Sequence, residues 1–405
     1  MLAVLIVFAI ALLQSKDELH AEVTWCTFCC TPNCGGANGG ATATPTPSPD
    51  AIVAPSGGTH TTIAAAYAAV SCGDLIWVRN GTYNITDVIN LNKTCTAGNW
   101  LTIQNYPGES PKVVCTAPTA SGGNDRVEIN GPYHVWDGIE ISSCYDGIKN
   151  YVPHVKILNS KIHNNIFTGI VNVPISSTLT DVEIAGNTIE ANGYIESENC
   201  TVGDASNCTR YDDPFNPGNP ISVKNIHQIY ISNSTCNNID GVHIHDNVLR
   251  NGGGRAFQMN GTEGGDGAPC QADGITNVVF EDNTISNTSW GISGFYGISG
   301  VQIINNDFTI NSWPVTNDSD HTFIGLWALV NSVITGNTFN STSSSVRPFN
   351  FFDNDSGCTD GGNNDIDFNI YTINTNDWMY NEVVRNDFSS AYTSVTGCGA
   401  NDTLN

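Results

Sequence analysis

Val182–Ile189 has the sequence VEIAGNTI, and this pattern of apolar residues and one asparagine returns along most of the chain. Alternation with a period of two places Val182 and Ile184 on one face of a short strand and Glu183 on the other. Asn187 stands at the following turn, where asparagine tolerates a left-handed or bridge conformation and its amide can bond the same residue of the next copy. A single strand of this kind cannot bury its apolar face alone, so the segment predicts stacked copies of itself.

Six further segments share this pattern, and they lie at 155–162, 242–249, 278–285, 301–308, 332–339 and 381–388. Stacking one copy on the next produces parallel sheets around a filled apolar interior, with the recurring asparagines forming a ladder at one corner. An antiparallel sandwich with Asn-Gly hairpins is the alternative, but a sandwich does not require the same asparagine offset in every copy. The repeat therefore favours an all-β solenoid, a parallel β-helix.

The segment that precedes the repeats has a different pattern. Ile63, Tyr67 and Val70 lie at helical spacing with small alanines between them, and Leu75–Val78 is a predicted strand. A short amphipathic helix followed by a first coil resembles the N-terminal cap of the pectin-lyase-like β-helix superfamily, where a helix covers the open end of the apolar stack. The resemblance spans about 51–388. It implies an all-β, right-handed parallel β-helix with a short N-terminal capping helix.

The charge balance is strongly acidic. The 405 residues include 14 Lys and Arg against 39 Asp and Glu, which gives a formal net charge of -25. Such a surface argues against nucleic acid and anionic membranes as partners, because both attract basic proteins. An anionic polysaccharide would need a local basic patch or bridging Ca²⁺, so Ca²⁺ is the cofactor to test.

Three zones are predicted along the chain. The apolar run Leu2–Leu13 is too short to span a bilayer and is typical of a secretory signal peptide, which we place at residues 1–21. A cysteine cluster and a Gly/Thr/Pro linker occupy 22–50, and the β-helix domain is expected at 51–405. We therefore expect a secreted, extracellular protein without membrane contact after signal cleavage. An uncleaved anchor helix is the alternative, which N-terminal sequencing would test.

Cysteines and N-glycosylation motifs agree with an extracellular location. Fourteen cysteines behind a signal peptide indicate disulfides, and the cluster Cys26, Cys29, Cys30 and Cys34 could join chains to each other. Twelve N-x-S/T sequons predict glycosylation in a eukaryotic host, provided that the acceptors lie on the surface. The sequons begin at Asn80, Asn84, Asn92, Asn199, Asn207, Asn233, Asn260, Asn287, Asn317, Asn340, Asn354 and Asn401.

The superfamily includes polysaccharide lyases, glycoside hydrolases, esterases, phage tailspikes and non-catalytic surface proteins, so the resemblance alone does not define the activity. In the lyases a Lys or Arg removes the C5 proton of the sugar while Ca²⁺ or amides neutralise the uronate carboxylate. Their groove usually follows the strand after the glycine corner. Here that strand corresponds to 148–151, 170–172, 255–259, 292–295, 323–327 and 347–350. Extracellular polysaccharide is therefore the partner that the resemblance implies.

Arg255 and Lys149 are the catalytic candidates on these segments. Arg255 directly follows three glycines, and it would remove the proton or bind the carboxylate. Alternation with Phe257 and Met259 points Arg255 into the interior unless the glycines bulge the chain, and a packed or acid-paired arginine is the alternative. For Lys149 the alternative is a solvated surface lysine.

Four further residues are candidates for substrate binding. Asp212 and Asp213 lie in an insertion that interrupts the repeat, where they could line a groove and bind Ca²⁺ or serve hydrolysis, or simply be solvated. His243 faces outward on the same strand as His245, as part of a metal or acid–base site or of a polar surface stripe. Trp327 could stack on a sugar ring or pack in the interior.

Two functions are consistent with these patterns. The first is a polysaccharide lyase that acts on uronate-containing polymer by base-catalysed β-elimination. The second is a non-catalytic structural or adhesive glycoprotein that self-assembles into a filament or surface layer, which the many sequons, the few bases and the N-terminal cysteines favour. Activity on a panel of anionic polysaccharides separates the two.

Overall fold

The structure is a computed structural model in which part of the chain is described. The described residues are 48–116, 126–193, 226–234, 236–252, 254–261, 274–295, 297–310, 321–327, 329–342, 346–352, 364–367, 370–373, 379–380 and 386–388. The signal peptide, the cysteine cluster and nearly all of the linker lie outside these residues, so the boundaries proposed for them remain predictions.

Three sheets of parallel strands form the framework of the described part of the chain. Sheet 1 contains β1 (Ala51–Val53), β2 (Leu75–Val78), β5 (Leu101–Asn105), β8 (His134–Asp137), β11 (Val155–Leu158), β14 (Val182–Ala185), β17 (Ile239–His245), β20 (Ile275–Glu281), β23 (Ile298–Ser299), β24 (Gln302–Ile304), β27 (Leu329–Val330), β28 (Val333–Thr335), β31 (Asn364–Asp367) and β34 (Asn386–Phe388). Sheet 2 contains β3 (Thr82–Ile85), β6 (Lys112–Cys115), β9 (Glu140–Ser142), β12 (Lys161–His163), β15 (Thr188–Glu190), β18 (Val248–Arg250), β21 (Thr284–Ser286), β25 (Asp307–Thr309), β29 (Thr338–Ser341) and β32 (Ile370–Ile373). Sheet 3 contains β4 (Ile89–Leu91), β7 (Val127–Ile129), β10 (Ile148–Asn150), β13 (Thr168–Asn172), β16 (His227–Ser232), β19 (Arg255–Asn260), β22 (Trp290–Phe295), β26 (His321–Trp327), β30 (Val346–Phe352) and β33 (Met379–Tyr380).

Each coil runs from sheet 1 to sheet 2 to sheet 3 and then returns to sheet 1 one level further along. Strands therefore pair in parallel with the strand of the previous coil and with that of the next coil. The register keeps like residues in line, since Val182 stands opposite Val242 and Ile184 stands opposite Ile244. This arrangement confirms the right-handed parallel β-helix that the repeat and the resemblance predicted.

The interior of the coils is filled with aliphatic and aromatic side chains. Aromatic rings stack from coil to coil: the ring centroids of Phe257 and Phe280 are 5.1 Å apart, and those of Phe308 and Phe339 are 5.0 Å apart. All four of these residues are fully buried. Burial of one such side chain contributes roughly 1.5–3 kcal/mol, so the stack is the main source of stability.

The recurring asparagines form a ladder at the corner between sheets 1 and 2. Its members are all at most 1% exposed, and they are Asn187, Asn247, Asn283, Asn306 and Asn337. From Asn247 onward, the Oδ1 of each accepts hydrogen bonds from the backbone N–H and the Nδ2 of the preceding asparagine at 2.9–3.0 Å. Each Nδ2 also donates to a backbone carbonyl of the preceding coil at 2.8–2.9 Å. The ladder thus satisfies backbone groups that the corner would otherwise leave unpaired.

Two details of the repeat differ from the expectation. The left-handed conformation belongs to the residue before the asparagine, as at Gly186 (φ 67°) and Asp246 (φ 54°), because this turn directs the next side chain into the corner. The copy at 381–388 was wrongly aligned, since Asn386 lies within β34 and pairs with Asn364 instead of standing at the corner. In that register Phe388 stands opposite Ile366, which in turn pairs with Ile334, so Phe388 occupies a strand position and not the corner position of the ladder.

The predicted capping helix is present as α1 (Ile63–Ala69). The Oγ1 of Thr62 accepts a hydrogen bond from the backbone N–H of Ala65 at 3.2 Å and so caps the first turn. The inward face of the helix is buried through Ile63, Ala66 and Tyr67. The helix therefore contributes apolar surface to the first coils, as expected of a cap.

Disulfide bonds cross-link the first coils. They join Cys72 to Cys95 and Cys115 to Cys144, and Cys236 is also disulfide-bonded. These bonds confirm the expected disulfides for the five cysteines that the structure describes, and the N-terminal cysteine cluster lies outside the described residues. Within the described part of the chain, no helix is both long enough and apolar enough to cross a membrane.

A partly buried cluster of charged side chains on sheet 2 makes the stability of the fold depend on pH in the acidic range. A carboxylate oxygen of Glu140 lies 3.0 Å from Nε2 of His163 and 3.2 Å from Nζ of Lys112. The hydrogen bond with His163, and then that with Lys112, lowers the pKa of Glu140 from 4.5 to about 2, although partial burial opposes the shift. Because the pKa of Glu140 is lower in the folded protein than in the unfolded chain, its ionised carboxylate stabilises the fold at pH values above about 4.5. This stabilisation is lost as the pH falls from about 4.5 to about 2.

Replacement of Glu140 by glutamine is accordingly expected to lower Tm at pH 7 by about 2–4 °C, because the charged partners lose their carboxylate. Thermal denaturation at several pH values between 7 and 3 measures the effect. The difference in Tm between wild type and Glu140→Gln should shrink below pH 4.5, where the wild-type carboxyl begins to lose its advantage. A difference that stays constant over this range would contradict the assigned role.

Candidate functional site

The segments that the resemblance assigned to a groove all belong to sheet 3. They coincide with strands β10, β13, β19, β22, β26 and β30, which occupy successive coils. Side chains that alternate with the core residues of these strands lie on the outward face of the sheet. This face is the candidate site.

Arg255 is on the outward face, contrary to simple alternation. Ala256 and Phe257 are both fully buried, so two consecutive residues point inward and the alternation is broken between them. The guanidinium of Arg255 donates a hydrogen bond from Nη1 to Oε1 of Gln258, which alternates with the core residues Phe257 and Met259. The interior position that the period of two predicts for Arg255 is therefore wrong.

Two aromatic rings flank the Arg255 guanidinium. Its Cζ lies 5.4 Å from the ring centroid of Trp290 and 5.2 Å from that of Phe295. Both aromatic residues are on β22, the strand that pairs with β19. A guanidinium is weakly hydrated and is attracted to aromatic faces, so these contacts fix a positive charge at the surface of sheet 3.

His227 and Tyr230 lie on the other side of Gln258. Their rings stack with centroids 4.8 Å apart and an interplanar angle of 15°. Nε2 of His227 is 2.8 Å from the same Gln258 Oε1 that accepts from Arg255. Because a guanidinium can only donate, Gln258 must present its oxygen, and Nε2 of His227 therefore carries the hydrogen. The site thus combines a fixed cation with an imidazole and a phenol, two groups able to exchange protons.

Lys149 is on the same face but farther along the axis. It lies in β10, and β13 and β16 separate it from β19, so three strand spacings, or about 14 Å, divide it from the Arg255 strand. Its Nζ is 5.4 Å from the ring centroid of Tyr151. Burial raises the pKa of the nearby Asp146 carboxyl, while the charges of Lys149 and Arg126 oppose the rise. The structure therefore places the two predicted cations on one surface without bringing them into contact.

Of the remaining predicted site residues, His243 lies on another sheet, and Trp327 lies on sheet 3, where the preceding residue Leu326 pairs with Gly294 of β22. His243 belongs to β17 of sheet 1, where its Nε2 is 2.7 Å from Oε1 of Glu281 and its ring lies 4.1 Å from that of His245. Trp327 is the last residue of β26 in sheet 3. Asp212 and Asp213 lie outside the described residues. Among the residues that are described, no group of three or more His, Cys, Asp or Glu side chains could hold a metal ion.

The sequons differ in exposure. Asn80, Asn84 and Asn92 are exposed and can accept a glycan. Asn233 is fully buried, and its Oδ1 accepts from the backbone N–H of Asn238 at 2.8 Å, so a glycan at this position does not fit the folded chain. Asn260, Asn287 and Asn340 are half-buried and bonded to neighbouring side chains. The sequons at Asn199, Asn207, Asn317, Asn354 and Asn401 lie outside the described residues.

Comparison with known proteins finds similarity at the level of structure. Neither the models of protein families nor the curated proteins match the sequence. An alginate lyase from Paenibacillus sp. str. FPU-7 superposes with a TM-score of 0.50, at 15% identity, over 77% of this chain and 95% of its own. The pectate lyase Pel9A gives a TM-score of 0.48, at 16% identity, over 81% of this chain and 79% of its own. At 15% identity, the likeness to the alginate lyase shows the fold alone: the chain is a right-handed parallel β-helix.

Proposed function

We propose that the protein is a secreted, carbohydrate-active β-helix that binds a uronate-containing polysaccharide along the outward face of sheet 3. We further propose that it cleaves this polymer by β-elimination at Arg255. The observation that carries the proposal is the placement of the Arg255 guanidinium between Trp290 and Phe295, next to His227 and Tyr230. A fixed cation among aromatic rings suits an anionic sugar, since the rings can pack against its C–H groups.

Arg255 is assigned to binding the uronate carboxylate. A guanidinium stays protonated in proteins and presents a fork of donors that matches a carboxylate, so it neutralises the charge that makes the C5 proton hard to remove. When this proton leaves, its electron pair forms the C4=C5 double bond, the C4–O4 bond breaks, and O4 departs with a proton. Arg255 would stabilise the negative charge that develops on the carboxylate during this step.

Proton transfer is assigned to the stacked pair of His227 and Tyr230, because these groups flank Gln258 beside the Arg255 guanidinium. The sequence-based assignment of Lys149 as a catalytic base is replaced in this proposal by a role in binding. Its position three strands from β19 suits a second carboxylate farther along the same polymer. Ca²⁺ would help to neutralise the negative charge of the substrate. Whether the reaction requires Ca²⁺ is tested by running the assay with and without it.

The test is an assay of the purified full chain on alginate, pectate and glycosaminoglycans, with and without Ca²⁺. We expect one of these polymers to yield unsaturated products, detected by their ultraviolet absorbance. Arg250→Ala is the matched control, because this arginine is on sheet 2, where it pairs with Glu190 at 2.7 Å. No product from any polymer would contradict the proposal and leave the non-catalytic structural or adhesive glycoprotein as the remaining function, to be examined by electron microscopy for filaments.

A further inference from the structure

Two buried polar side-chain atoms near the Arg255 site have no hydrogen-bond partner within the described ranges of the chain. Oγ of Ser232 and Oδ1 of Asn260 are buried, and neither is hydrogen-bonded to any part of the chain that the structure describes. Ser232 is only 1% exposed. Buried polar atoms are nearly always hydrogen-bonded in folded proteins, so two unsatisfied atoms in adjacent strands require an explanation.

Both atoms belong to the outward face. Ile231 and Met259 are fully buried in the core, and Ser232 and Asn260 follow them directly, so the side chains of the latter two alternate to the opposite side. Ser232 pairs with Asn260, and Asn260 pairs in turn with Phe295 of the next strand. The three residues therefore form one row across three coils.

This row adjoins the fixed positive charge. The Arg255 guanidinium lies 5.2 Å from the ring centroid of Phe295, which is the register neighbour of Asn260. Phe295 is half-buried, so part of its ring is accessible. Phe295 therefore adjoins both the cation and the amide.

The amide of Asn260 offers a hydrogen-bonding group in either orientation. Its Nδ2 donates to the hydroxyl of Tyr230 at 3.3 Å, and its Oδ1 is the atom without a partner. A tyrosine hydroxyl both donates and accepts, so turning the amide over would only exchange which end is unsatisfied. A sugar hydroxyl, which also donates and accepts, is the ligand group that complements both the amide and the Ser232 hydroxyl.

We propose that Asn260 and Ser232 form a hydroxyl-binding subsite for the uronate ring whose carboxylate binds Arg255. The ring would lie over Phe295, with its carboxylate towards the guanidinium and its C2 and C3 hydroxyls towards the amide and the serine. This inference rests on the proposed function and adds the feature by which the site selects its sugar. Polymers with free hydroxyls on these carbons are the substrate class, and O-acetylated polymers are excluded.

The same asparagine opens a sequon, Asn260-Gly261-Thr262, and the two roles are incompatible. A glycan would replace a hydrogen of Nδ2, the group that donates to Tyr230, and would fill the space above Phe295. The proposal therefore requires that Asn260 carry no glycan in the mature protein. Thr262→Ala removes the sequon without altering Asn260, which makes it a matched control.

The experiment compares kcat/KM on the polymer that the wild type cleaves and on the same polymer after O-acetylation of its C2 and C3 hydroxyls. We expect wild type and Thr262→Ala to prefer the free polymer by about tenfold, the value of one or two hydrogen bonds to buried polar groups. Asn260→Ala and Ser232→Ala should each lose most of this preference. Because the Ser232 hydroxyl has no hydrogen-bond partner among the described residues, Ser232→Ala should keep the wild-type Tm, and an unchanged Tm excludes misfolding as the cause of its defect.

The possible outcomes distinguish a failure of the hydroxyl-binding subsite from a failure of the proposed function. If wild type and Thr262→Ala cleave the polymer, but Asn260→Ala and Ser232→Ala retain the full preference for free hydroxyls, the subsite is wrong and the proposed function stands. If the wild type cleaves no polymer, the proposed function fails and the subsite fails with it.

Mass spectrometry of tryptic peptides from protein made in a eukaryotic host gives a readout independent of activity, and a glycan on Asn260 would overturn the subsite.

Discussion

Asn283→Leu is expected to destabilise the protein by about 4 kcal/mol, because the substitution leaves two buried backbone groups without partners. Oδ1 of Asn283 accepts the backbone N–H of Asn247 at 3.0 Å, and Nδ2 donates to the backbone carbonyl of Ile244 at 2.9 Å. Leucine has a similar volume but can satisfy neither group. The effect is large because Asn283 stands in the middle of the ladder, with neighbours in both directions.

Chemical denaturation of wild type, Asn283→Leu and the control Asn84→Leu measures this effect. The control changes an exposed asparagine on sheet 2 and should shift stability by less than about 0.5 kcal/mol. Production in a bacterial periplasm permits disulfides and avoids glycans at the Asn84 sequon. If Asn283→Leu unfolds at the same denaturant concentration as the control, the ladder does not hold the corner together.

The ladder also explains how much of the fold could be predicted from the sequence. Each copy of the pattern places an asparagine at the same number of residues after two apolar residues. This constant separation predicts a solenoid, because every coil needs the same hydrogen-bonded contact at its corner. Val182 and Ile184 were predicted to be inward from their alternation alone, and both are buried. The local conformation was harder to predict, since the left-handed residue is Gly186 in one coil and Asp246 in another, and several residue types tolerate it.

The candidate site was less predictable, because it depends on a break in the same alternation. Two successive inward residues, Ala256 and Phe257, turn Arg255 to the surface, and no pattern of apolar residues distinguishes this from a continuous strand. The sequence identified Arg255 but missed its neighbours. His227 and Tyr230 are three residues apart in a strand, a spacing that normally places side chains on opposite faces, so their stacking could not be inferred. Gln258 could have been found, since it alternates with Phe257 and Met259 and must therefore face outward.

Exposure separates the glycosylation motifs in a way that sequence cannot. The sequon at Asn233 is fully buried, whereas that at Asn84 is exposed on sheet 2. In a chain rich in Asn, Ser and Thr, the N-x-S/T sequon occurs by chance at buried positions as well as at exposed ones. Only the burial of the acceptor distinguishes these cases, because the transferred glycan must remain in solvent.

Arg255→Ala is expected to lower kcat/KM on the cleaved polymer by about 10³-fold, comparable to the removal of a strong donor from a developing negative charge. Arg255→Lys should recover about tenfold of this loss, since an ammonium supplies the charge but not the planar fork that matches a carboxylate. The comparison separates charge from geometry. Initial rates of unsaturated product formation at substrate concentrations well below KM give kcat/KM directly.

The fold of these variants is expected to be intact, because the Arg255 side chain lies on the surface of sheet 3 and not in the core stack. Tm within about 2 °C of wild type would confirm this, and Arg250→Ala, an arginine on sheet 2, should keep wild-type kcat/KM. If Arg255→Ala is folded and cleaves the polymer at the wild-type rate, the positive charge between Trp290 and Phe295 is structural. The reaction would then have to occur elsewhere on the solenoid, and Lys149 of β10 would be the next residue to replace.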